Sequence, residues 1–293
     1  MLQNAIQKAG VLIEALPYIK RFRDKTVVVK IGGATIENSE LLDSVLTDIA
    51  FMEQVGMRPV LVHGGGTYIS TALQEKKIET RFFHGYRVTD KQTLDVVIEV
   101  LQQKLNQYIV DKLAHFGAFS VSSGLMNATV LFAGKKVLAE FPEEDLGFVG
   151  DVERVNTAVL ESYCQRDIVP VIAPLGSDGE QTYNINADDV ASAVAGALQA
   201  EKLVVLSDVP GLLEDPNDPN SLITSVDSCG VEDLMRRQVI RGGMIPKIKS
   251  SLACMRAGVN KVHIVDGAMK HALLLEIFTQ QGIGTQIVGE GRL

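Results

Sequence analysis

Short, almost wholly apolar runs alternate along the chain with longer segments whose apolar residues recur at spacings of three and four. The clearest apolar runs are residues 26–31, 59–63, 169–173, 203–207 and 261–265. Continuous runs of this length are typical of strands buried on both faces, as in parallel sheets covered by helices. Their alternation with helices predicts an α/β protein: a three-layer α/β/α sandwich around a mainly parallel open sheet, with two lobes.

Helical spacing is clearest in two segments. In residues 42–52 the apolar positions follow this pattern, and Gly56 closes the predicted helix. In residues 94–109 the same pattern extends over a longer helix. Thr89-Asp90-Lys91-Gln92 has the form of a capping box, which predicts that this helix begins with Thr89 as its N-cap.

Three further patterns complete the predicted organisation. Residues 1–22 predict an amphipathic helix ahead of the first strand, bent at Pro17, whose apolar stripe covers the chain's own core or joins subunits. Residues 130–138 predict a small hairpin with its turn at residues 134–136. Pro246, which follows two glycines, suits the first turn of another helix.

Composition narrows the partners of this fold. The 293 residues are 46% hydrophobic and 22% charged, which excludes wholesale disorder. A formal charge of −8 argues against nucleic acid and acidic membranes as partners. No secretory signal and no long apolar segment is present, so we expect a cytoplasmic protein that does not cross a membrane. Cys164, Cys229 and Cys254 are far apart, which predicts reduced thiols and neither a zinc site nor disulfides.

Glycines follow two of the predicted strands, at residues 32–33 and 64–66, and an Asp-Val-Pro-Gly turn follows a third at 208–211. The carboxyl ends of parallel strands line the ligand crevice of open sheets, and glycine lets backbone N–H groups approach an anion. We therefore expect a phosphate or carboxylate cradle, with tight turns as the simpler alternative. The P-loop, GxGxxG, protein-kinase, GxSxG and HExxH motifs are absent from the sequence.

Six segments in this order resemble the amino-acid kinase family and, within it, the acetylglutamate kinases. They are Lys-Ile-Gly-Gly at 30–33, His-Gly-Gly-Gly at 63–66, Gly-Tyr-Arg-Val-Thr-Asp at 85–90, Tyr-Asn-Ile-Asn-Ala-Asp at 183–188, Leu-Ser-Asp-Val-Pro-Gly at 206–211 and Gly-Gly-Met-Ile-Pro-Lys at 242–247. The resemblance extends over essentially the whole chain from Thr26. It implies that ATP phosphorylates the side-chain carboxylate of N-acetyl-L-glutamate, an early step of arginine biosynthesis.

This reaction needs no general base, because a carboxyl group of ordinary pKa about 4.3 is already ionised near neutrality. Catalysis then depends on positioning two anions and neutralising the transferred phosphoryl group. The resemblance assigns that neutralisation to Lys30 and Lys247, with Asp188 holding both lysines. It implies Mg²⁺ that arrives with ATP and is held mostly by phosphate oxygens and water, so we name no protein ligands. His63 is left a packing or hydrogen-bonding role.

The resemblance also implies two binding regions. The acetylglutamate region comprises the backbone of four glycines, an arginine for the α-carboxylate and an asparagine: Gly32, Gly33, Gly65, Gly66, Arg87 and Asn184. For Arg87 a structural ion pair with Asp90 or another acid is the alternative, and for Asn184 a helix cap. The region around ATP comprises Asp208, Val209, Pro210, Gly211, Leu212, Leu213, Val239, Ile240, Arg241 and Met244.

Some residues depart from the family pattern. Thr67 follows His-Gly-Gly-Gly where proline is usual, Ala34-Thr35 follows the first Gly-Gly where Asn-Ala is common, and residues 120–127 replace a glycine-rich segment. None of these changes removes a residue assigned to charge stabilisation. They bear on the geometry of the substrate loops and on the turnover rate.

The N-terminal extension resembles the helix of those acetylglutamate kinases that form hexamers and are inhibited by arginine. The implied organisation is an oligomerisation helix at 1–25, an acetylglutamate-binding and dimerisation lobe at 26–175, and an ATP-binding lobe at 176–293. The implied assembly is a dimer or a hexamer built as a trimer of dimers. His271, Glu276, Gly282 and Gly284 match part of the arginine site, although a solvated helix-face acid is the alternative for Glu276. Nothing in the sequence supports or excludes a PII-type regulator.

Two other functions stay open. One is a related kinase that acts on another acid, such as carrier-linked aminoadipate, and a panel of acceptors would separate it. The other is a kinase-like domain that binds arginine without catalysis, as in some acetylglutamate synthases. The presence of Lys30, Lys247 and Asp188 argues against this second alternative.

Overall fold

The computed structural model describes residues 2–123, 129–215, 217–279 and 282–290. Its strands are β1 (Thr26–Ile31), β2 (Arg58–His63), β3 (Phe82–Phe83), β4 (Tyr86–Arg87), β5 (Ser120–Ser123), β6 (Leu131–Lys135), β7 (Gly150–Val155), β8 (Val169–Ile172), β9 (Leu175–Ser177), β10 (Thr182–Asn184), β11 (Lys202–Ser207), β12 (Leu212–Leu213), β13 (Leu222–Ile223), β14 (Ser225–Asp227), β15 (Lys261–Asp266) and β16 (Thr285–Val288).

Helices cover both faces of the resulting sheet. They are α1 (Leu2–Phe22), α2 (Gly33–Glu37), α3 (Ser39–Gln54), α4 (Gly66–Glu75), α5 (Lys91–Ile98), α6 (Gln107–His115), α7 (Thr157–Cys164), α8 (Ala187–Ala197), α9 (Ser228–Arg236), α10 (Met244–Arg256) and α11 (Ala272–Phe278). A π-helical segment, Glu99–Asn106, joins α5 to α6, and a 3₁₀ turn spans Pro219–Ser221.

The central sheet confirms the predicted fold class. Its strand order is β14-β16-β15-β11-β1-β2-β8-β5, and every neighbouring pair is parallel except β15 with β16. All five predicted strands are present, as β1, β2, β8, β11 and β15. Because β1 lies between β2 and β11, the chain segments that leave these three strands meet at one edge of the sheet.

The hydrophobic core consists of two layers, one on each face of the sheet. Val27 and Val29 of β1 face the layer formed with α3, α5 and α6, whereas Val28 faces the layer formed with α8 and α10. All three valines are fully buried. Burial on both faces explains why the strand is continuously apolar rather than alternating.

The predicted hairpin at 130–138 is wrong in its pairing. The β6 strand begins near the predicted position, but it pairs antiparallel with β7, fifteen residues later, and Gly134-Lys135 belongs to the strand rather than to a turn. Together with β9 and β10 these strands form a second sheet of order β10-β9-β6-β7. Val137, predicted in the second strand, is 65% exposed and has no apolar surface to cover.

The predicted long helix is confirmed from Lys91 to His115, with the π-helical segment in its middle. Its N-cap is Asp90 rather than Thr89, because the Asp90 carboxylate accepts from the Thr93 backbone N–H at 2.8 Å. Thr89 is fully buried, and its hydroxyl donates to the Arg87 carbonyl. The helices predicted before Gly56 and around Pro246 are also present, as α3 and α10.

The N-terminal helix α1 is present, with Pro17 inside it, but most of its apolar stripe does not cover the core. Ile6 is 62% and Leu12 68% exposed, whereas Phe22 at its end is buried. Cys164, Cys229 and Cys254 are free thiols. Among the helices described, none is long and apolar enough to cross a bilayer.

Candidate active site

A cavity of about 230 Å³ lies where the chain leaves β1 and β2. The Gly64 backbone N–H donates to the Ile31 carbonyl at 2.9 Å, so the loops after the two strands are held side by side. The sequence-predicted residues that line this acceptor cavity are Lys30, Gly32, Gly33, Gly65, Gly66, Arg87, Asn184 and Asp188. Eight residues assigned to catalysis or acetylglutamate binding are thus brought together from strands, helices and loops that are distant in the sequence.

Lys30, near the end of β1, is 6% exposed, and its Nζ lies 2.9 Å from Asp188 Oδ1. This contact is a largely buried ion pair, with side-chain exposures of 8% and 11%, and it holds the ammonium group at the cavity. Asp188 lies in the first turn of α8, where a carboxylate also favours the helix dipole. The Asn186 side chain caps this helix and fixes the turn.

Lys247 lies outside the acceptor cavity, near the start of α10. The charges of Lys247 and Lys30 both act on Asp208, which follows β11. Burial acts to raise the pKa of Asp208, but its own backbone, the Ser207 hydroxyl and the charges of Lys247 and Lys30 together hold that pKa below its ordinary value. Both ammonium groups are therefore within electrostatic reach of a single carboxylate at the edge of the sheet.

Arg87 is a buried guanidinium that pairs with neutral groups. Its Nη1 donates to Thr80 Oγ1 at 2.7 Å, and its Nη2 donates to the Gly66 carbonyl and to Ser70 Oγ. Burial lowers the pKa of Arg87, and no carboxylate among the described residues offsets that effect. Asp90 instead caps α5, and no acid among the described residues forms the structural ion pair considered for Arg87. A buried cation of this kind is suited to an anionic ligand.

The His-Gly-Gly-Gly loop is shaped by the π-helical segment beside it. A Cβ on Gly65 would lie 2.5 Å from Leu101 Cδ2, so a side chain there would force the buried Leu101 side chain to move. A Cβ on Gly66 would meet nothing within 4 Å, so Gly66 faces open space at the cavity. Thr67 Oγ1 lies 3.1 Å from the Cβ position of Gly33, which places the Thr67 departure between the two glycine loops.

His63 has the hydrogen-bonding role expected of it. Its Nδ1 donates to the Gly64 carbonyl at 2.9 Å, and its Nε2 accepts from Asn106 Nδ2 at 3.0 Å. Because a carbonyl can only accept, the ring proton is assigned to Nδ1. Burial lowers the pKa of His63 to about 4, so the ring is neutral near pH 7.

Asn184 lines the cavity without capping a helix. Its Nδ2 donates to Thr89 Oγ1 at 3.2 Å, while Asn186 supplies the cap of α8. Of residues 120–127, only Ser120–Ser123, which form β5, are among the described residues. Residues 124–127 of that departure lie outside them.

The residues predicted around ATP lie between the end of β11 and the first residue of α10, Met244. Asp208 and Arg241 are exposed and Val209 is half-buried, so their side chains are accessible to a ligand. Leu212 and Ile240 are buried at 3% and 4% exposure, and they support this region from the core. Gly211 has φ +149°, and a Cβ there would meet Thr285 Oγ1 at 2.4 Å, so only glycine fits this turn.

A second cavity, of about 290 Å³, lies between α1 and the C-terminal part of the chain. Glu276, Gly282 and Gly284 line it, as predicted for the arginine site, and so do Tyr18 and Arg21 from α1. His271 is elsewhere: its Nδ1 contacts Asp48 Oδ1 at 2.7 Å, and its backbone N–H donates to Ser44 Oγ.

Glu276 is 6% exposed, so it is not a solvated helix-face acid. Its carboxylate contacts His263 Nδ1 and accepts from the backbone N–H groups of Ile283 and Gly284. Burial acts to raise the pKa of Glu276, but these hydrogen bonds hold it below its ordinary value. Burial also lowers the pKa of His263, so a neutral imidazole donates to an anionic carboxylate.

Sequence reasoning missed several polar residues of this second cavity, and Lys202 and His263 are the two that are buried in strands of the central sheet. Lys202 begins β11, and His263 interrupts the buried apolar strand β15. Burial lowers the pKa of Lys202 to about 8. A charged or polar side chain inside an apolar run indicates a binding or structural partner, because burying such a group without a partner costs free energy.

A scan against family models matches residues 25–266 to the amino acid kinase family. The chain belongs to this family. Relatives within the family include acetylglutamate kinase of Carboxydothermus hydrogenoformans, 45% identical over 98% of this chain and 99% of that protein. Another is acetylglutamate kinase of Symbiobacterium thermophilum, 46% identical over 98% of this chain and all of its own length.

The structure of this chain is also similar to a solved structure, that of N-acetylglutamate synthase from Neisseria gonorrhoeae with coenzyme A and N-acetyl-glutamate. The TM-score is 0.84 at 27% identity, over 97% of this chain and 64% of the synthase chain. The same synthase with coenzyme A and L-arginine gives a TM-score of 0.79 at 26% identity, over 96% and 65%. This chain thus spans about two thirds of the synthase's length.

Proposed function

We propose that the protein transfers the γ-phosphoryl group of ATP to the side-chain carboxylate of N-acetyl-L-glutamate. One observation carries this proposal: two buried cations line the same cavity. Arg87 has no carboxylate partner among the described residues, and Lys30 is paired with Asp188. A dicarboxylate acceptor presents one carboxylate to each cation. The full-length relatives named acetylglutamate kinase support this choice of acceptor.

In this reaction one oxygen of the γ-carboxylate attacks the γ-phosphorus. A carboxylate–phosphorus bond forms, the bond to the β,γ-bridging oxygen breaks, and ADP leaves with that electron pair. No proton is removed, because the acceptor is already an anion near pH 7. The cavity therefore needs no base. It needs fixed positive groups close to the attacking carboxylate oxygen and to the β,γ-bridging oxygen that leaves.

Each group in the cavity has a part in this transfer. Arg87 binds the α-carboxylate with the guanidinium N–H groups that Thr80, Gly66 and Ser70 leave free, and so aims the γ-carboxylate at Lys30. Lys30 neutralises the acceptor and γ-phosphate oxygens, while Lys247 acts from the nucleotide side. Asp188 orients Lys30 directly, and the exposed amide of Gly66 at the start of α4 donates to an anion.

Amino acid kinases use ATP, generally with a divalent metal ion. We propose that this ion is Mg²⁺ and that it enters with ATP, held by phosphate oxygens and water. In the part of the chain described, no three His, Cys, Asp or Glu side chains are grouped to hold a metal. Mg²⁺ would offset the negative charge of the triphosphate. We place nucleotide binding beyond β11 and before α10, with a cytoplasmic location where ATP is available.

We further propose feedback inhibition by L-arginine at the cavity between α1 and the C-terminal part of the chain. Lys202 and Arg21 suit the α-carboxylate of an amino acid, while Glu276 and the unpartnered Nε2 of His263 suit its cationic groups. The matched synthase structure that contains L-arginine supports this choice of effector. The exposed stripe of α1 would then join dimers into a hexamer. Leu12→Glu places a charge in that stripe, so light scattering should show the mass of a dimer for this variant.

A hydroxamate assay for acyl phosphate tests the proposed function. The protein is incubated with Mg-ATP, hydroxylamine and either N-acetylglutamate or a panel of other acids, including aminoadipate derivatives. Acyl phosphate from N-acetylglutamate supports the proposal, and a preference for another acid favours the related-kinase alternative. Arginine binding without any acyl phosphate favours the non-catalytic alternative.

A further inference from the structure

Asp189 follows Asp188 in α8 but faces a different neighbour. Its Oδ1 accepts from Ser250 Oγ of α10 at 2.6 Å. One turn further along α8, Ser192 Oγ donates to the Ser250 carbonyl at 2.7 Å. Because both hydrogen bonds end on Ser250, they fix α8 against α10 at a single point.

That point is one helical turn from Lys247. Ser250 follows Lys247 by three residues in α10, which corresponds to about 4.5 Å along the helix axis. On the other side, the backbone of Asp189 continues directly into Asp188, which pairs with Lys30. The first turn of α8 therefore links the placement of both lysines.

The second oxygen of Asp189 faces Lys136, which lies against Tyr86 of the β3–β4 hairpin that also carries Arg87. Asp189 Oδ2 lies 4.0 Å from Lys136 Nζ, and Lys136 pairs with Asp151 and lies over the ring of Tyr86. These groups line a cleft of about 710 Å³, with the β3–β4 hairpin and α10 among its walls. Burial raises the pKa of Asp189, although Ser250 and Lys136 oppose that effect.

The geometry points to Asp189 as a positioning residue that acts through Ser250 to set Lys247 relative to the Lys30–Asp188 pair. This inference rests on the proposed function. Asp189 does not line the acceptor cavity, so its effect reaches the reaction through α10. The contact between Asp189 and Ser250 thus holds in place residues that touch the substrates.

Kinetics of three variants test this role, with Asp151→Asn as the matched control, because Asp151 also pairs with Lys136 but makes no hydrogen bond to Ser250. Ser250→Ala and Asp189→Ala should lower kcat/KM for ATP about ten- to a hundredfold, since small misplacements of catalytic groups have effects of this size. The KM for N-acetylglutamate should stay unchanged. Asp189→Asn keeps an oxygen that accepts from Ser250, so it should restore most of the activity, and the control should match wild type.

The double variant separates positioning from general stability. If Asp189 acts through Lys247, adding Asp189→Ala to Lys247→Ala should cause little further loss, because residues that act as a unit are not additive. An equal loss in both backgrounds would overturn the inference. So would a wild-type kcat/KM in Ser250→Ala, which retains the Asp189 side chain and is the variant least expected to disturb folding.

Calorimetric titration with ATP keeps this inference distinguishable from the proposed function. Ser250→Ala should weaken ATP binding several-fold and leave N-acetylglutamate binding unchanged. If wild type forms no acyl phosphate, the proposed function fails, and the titration alone decides the inference. An ATP affinity in Ser250→Ala equal to that of wild type then overturns it.

Discussion

Lys30 Nζ lies 2.9 Å from Asp188 Oδ1 in a largely buried ion pair. A lysine on a strand and an aspartate on the first turn of a helix are thereby fixed together at the acceptor cavity. The pair is largely buried, so its interaction is less screened than that of a surface pair. This arrangement provides a fixed positive charge where an anionic acceptor must meet the γ-phosphate.

Replacing Arg87 tests how the acceptor is held. Arg87→Lys keeps the charge but loses the planar fork, and we expect kcat/KM for N-acetylglutamate to fall about ten- to a hundredfold. The KM for ATP should change little. Arg81→Ala, in the same hairpin region, is the control, because Arg81 is exposed and pairs with Glu144. An unchanged KM for N-acetylglutamate in Arg87→Lys would refute the assignment.

Alanine substitutions at Gly65 and Gly66 should have different effects, the first on stability and the second on substrate binding. Gly65→Ala places a methyl group against Leu101, so the free energy of unfolding should fall by about 1–3 kcal/mol. Gly66→Ala meets open space, so it should fold with wild-type stability but raise the KM for N-acetylglutamate. Denaturant unfolding and steady-state kinetics on both variants check this contrast. Equal stability losses would contradict it.

The buried imidazole of His63 should make stability depend on pH. Its folded-state pKa is about 4, below the ordinary value of 6.5, so the unfolded state takes up the proton first as pH falls. Stability is therefore lost between pH 6.5 and pH 4, at about 1.4 kcal/mol per pH unit. His63→Gln removes this titration. Between pH 7.5 and pH 5, wild type should lose about 2 kcal/mol more than the variant in denaturant titrations.

Arginine inhibition should depend on Glu276. With saturating substrates, initial rates should fall at millimolar arginine in the wild type and not in Glu276→Gln, because the variant lacks the anion that faces the second cavity. Glu161→Gln, on the exposed face of α7, is the control and should remain inhibited. If the wild-type rate is insensitive to arginine, this regulatory proposal is wrong.

The strands and the acceptor cavity could be predicted because their signals are local. Val28 and its neighbours in β1 are apolar on both faces, and Lys30, Arg87 and Asp188 lie within short motifs whose spacing is fixed. Motif order then placed residues from distant parts of the chain around one cavity. The structure adds the neutral partners of Arg87, Thr80 and Ser70, which no local pattern indicated.

Other features could not be predicted, because they depend on tertiary contacts. The β6 strand has its partner fifteen residues later, and strand pairing at such separations is decided by the sheet that both strands join. Thr89 and Asp90 are both capable N-caps, and the burial of Thr89 decides between them. His271 has φ +57° and turns to Asp48, so it misses the cavity that Glu276 lines.

The most direct test of the central claim is the single-turnover rate of acyl phosphate formation in Lys30→Ala and Lys247→Ala. Lys25→Ala and Lys249→Ala each remove the charge of an exposed lysine outside the acceptor cavity, and they are the matched controls. We predict losses of about a hundred- to a thousandfold in the first two variants, because each removes one charge that stabilises the transferred phosphoryl group. The controls should keep the wild-type rate. Rates within about tenfold of wild type in either Lys30→Ala or Lys247→Ala would contradict the claim that two opposed ammonium groups carry the transfer.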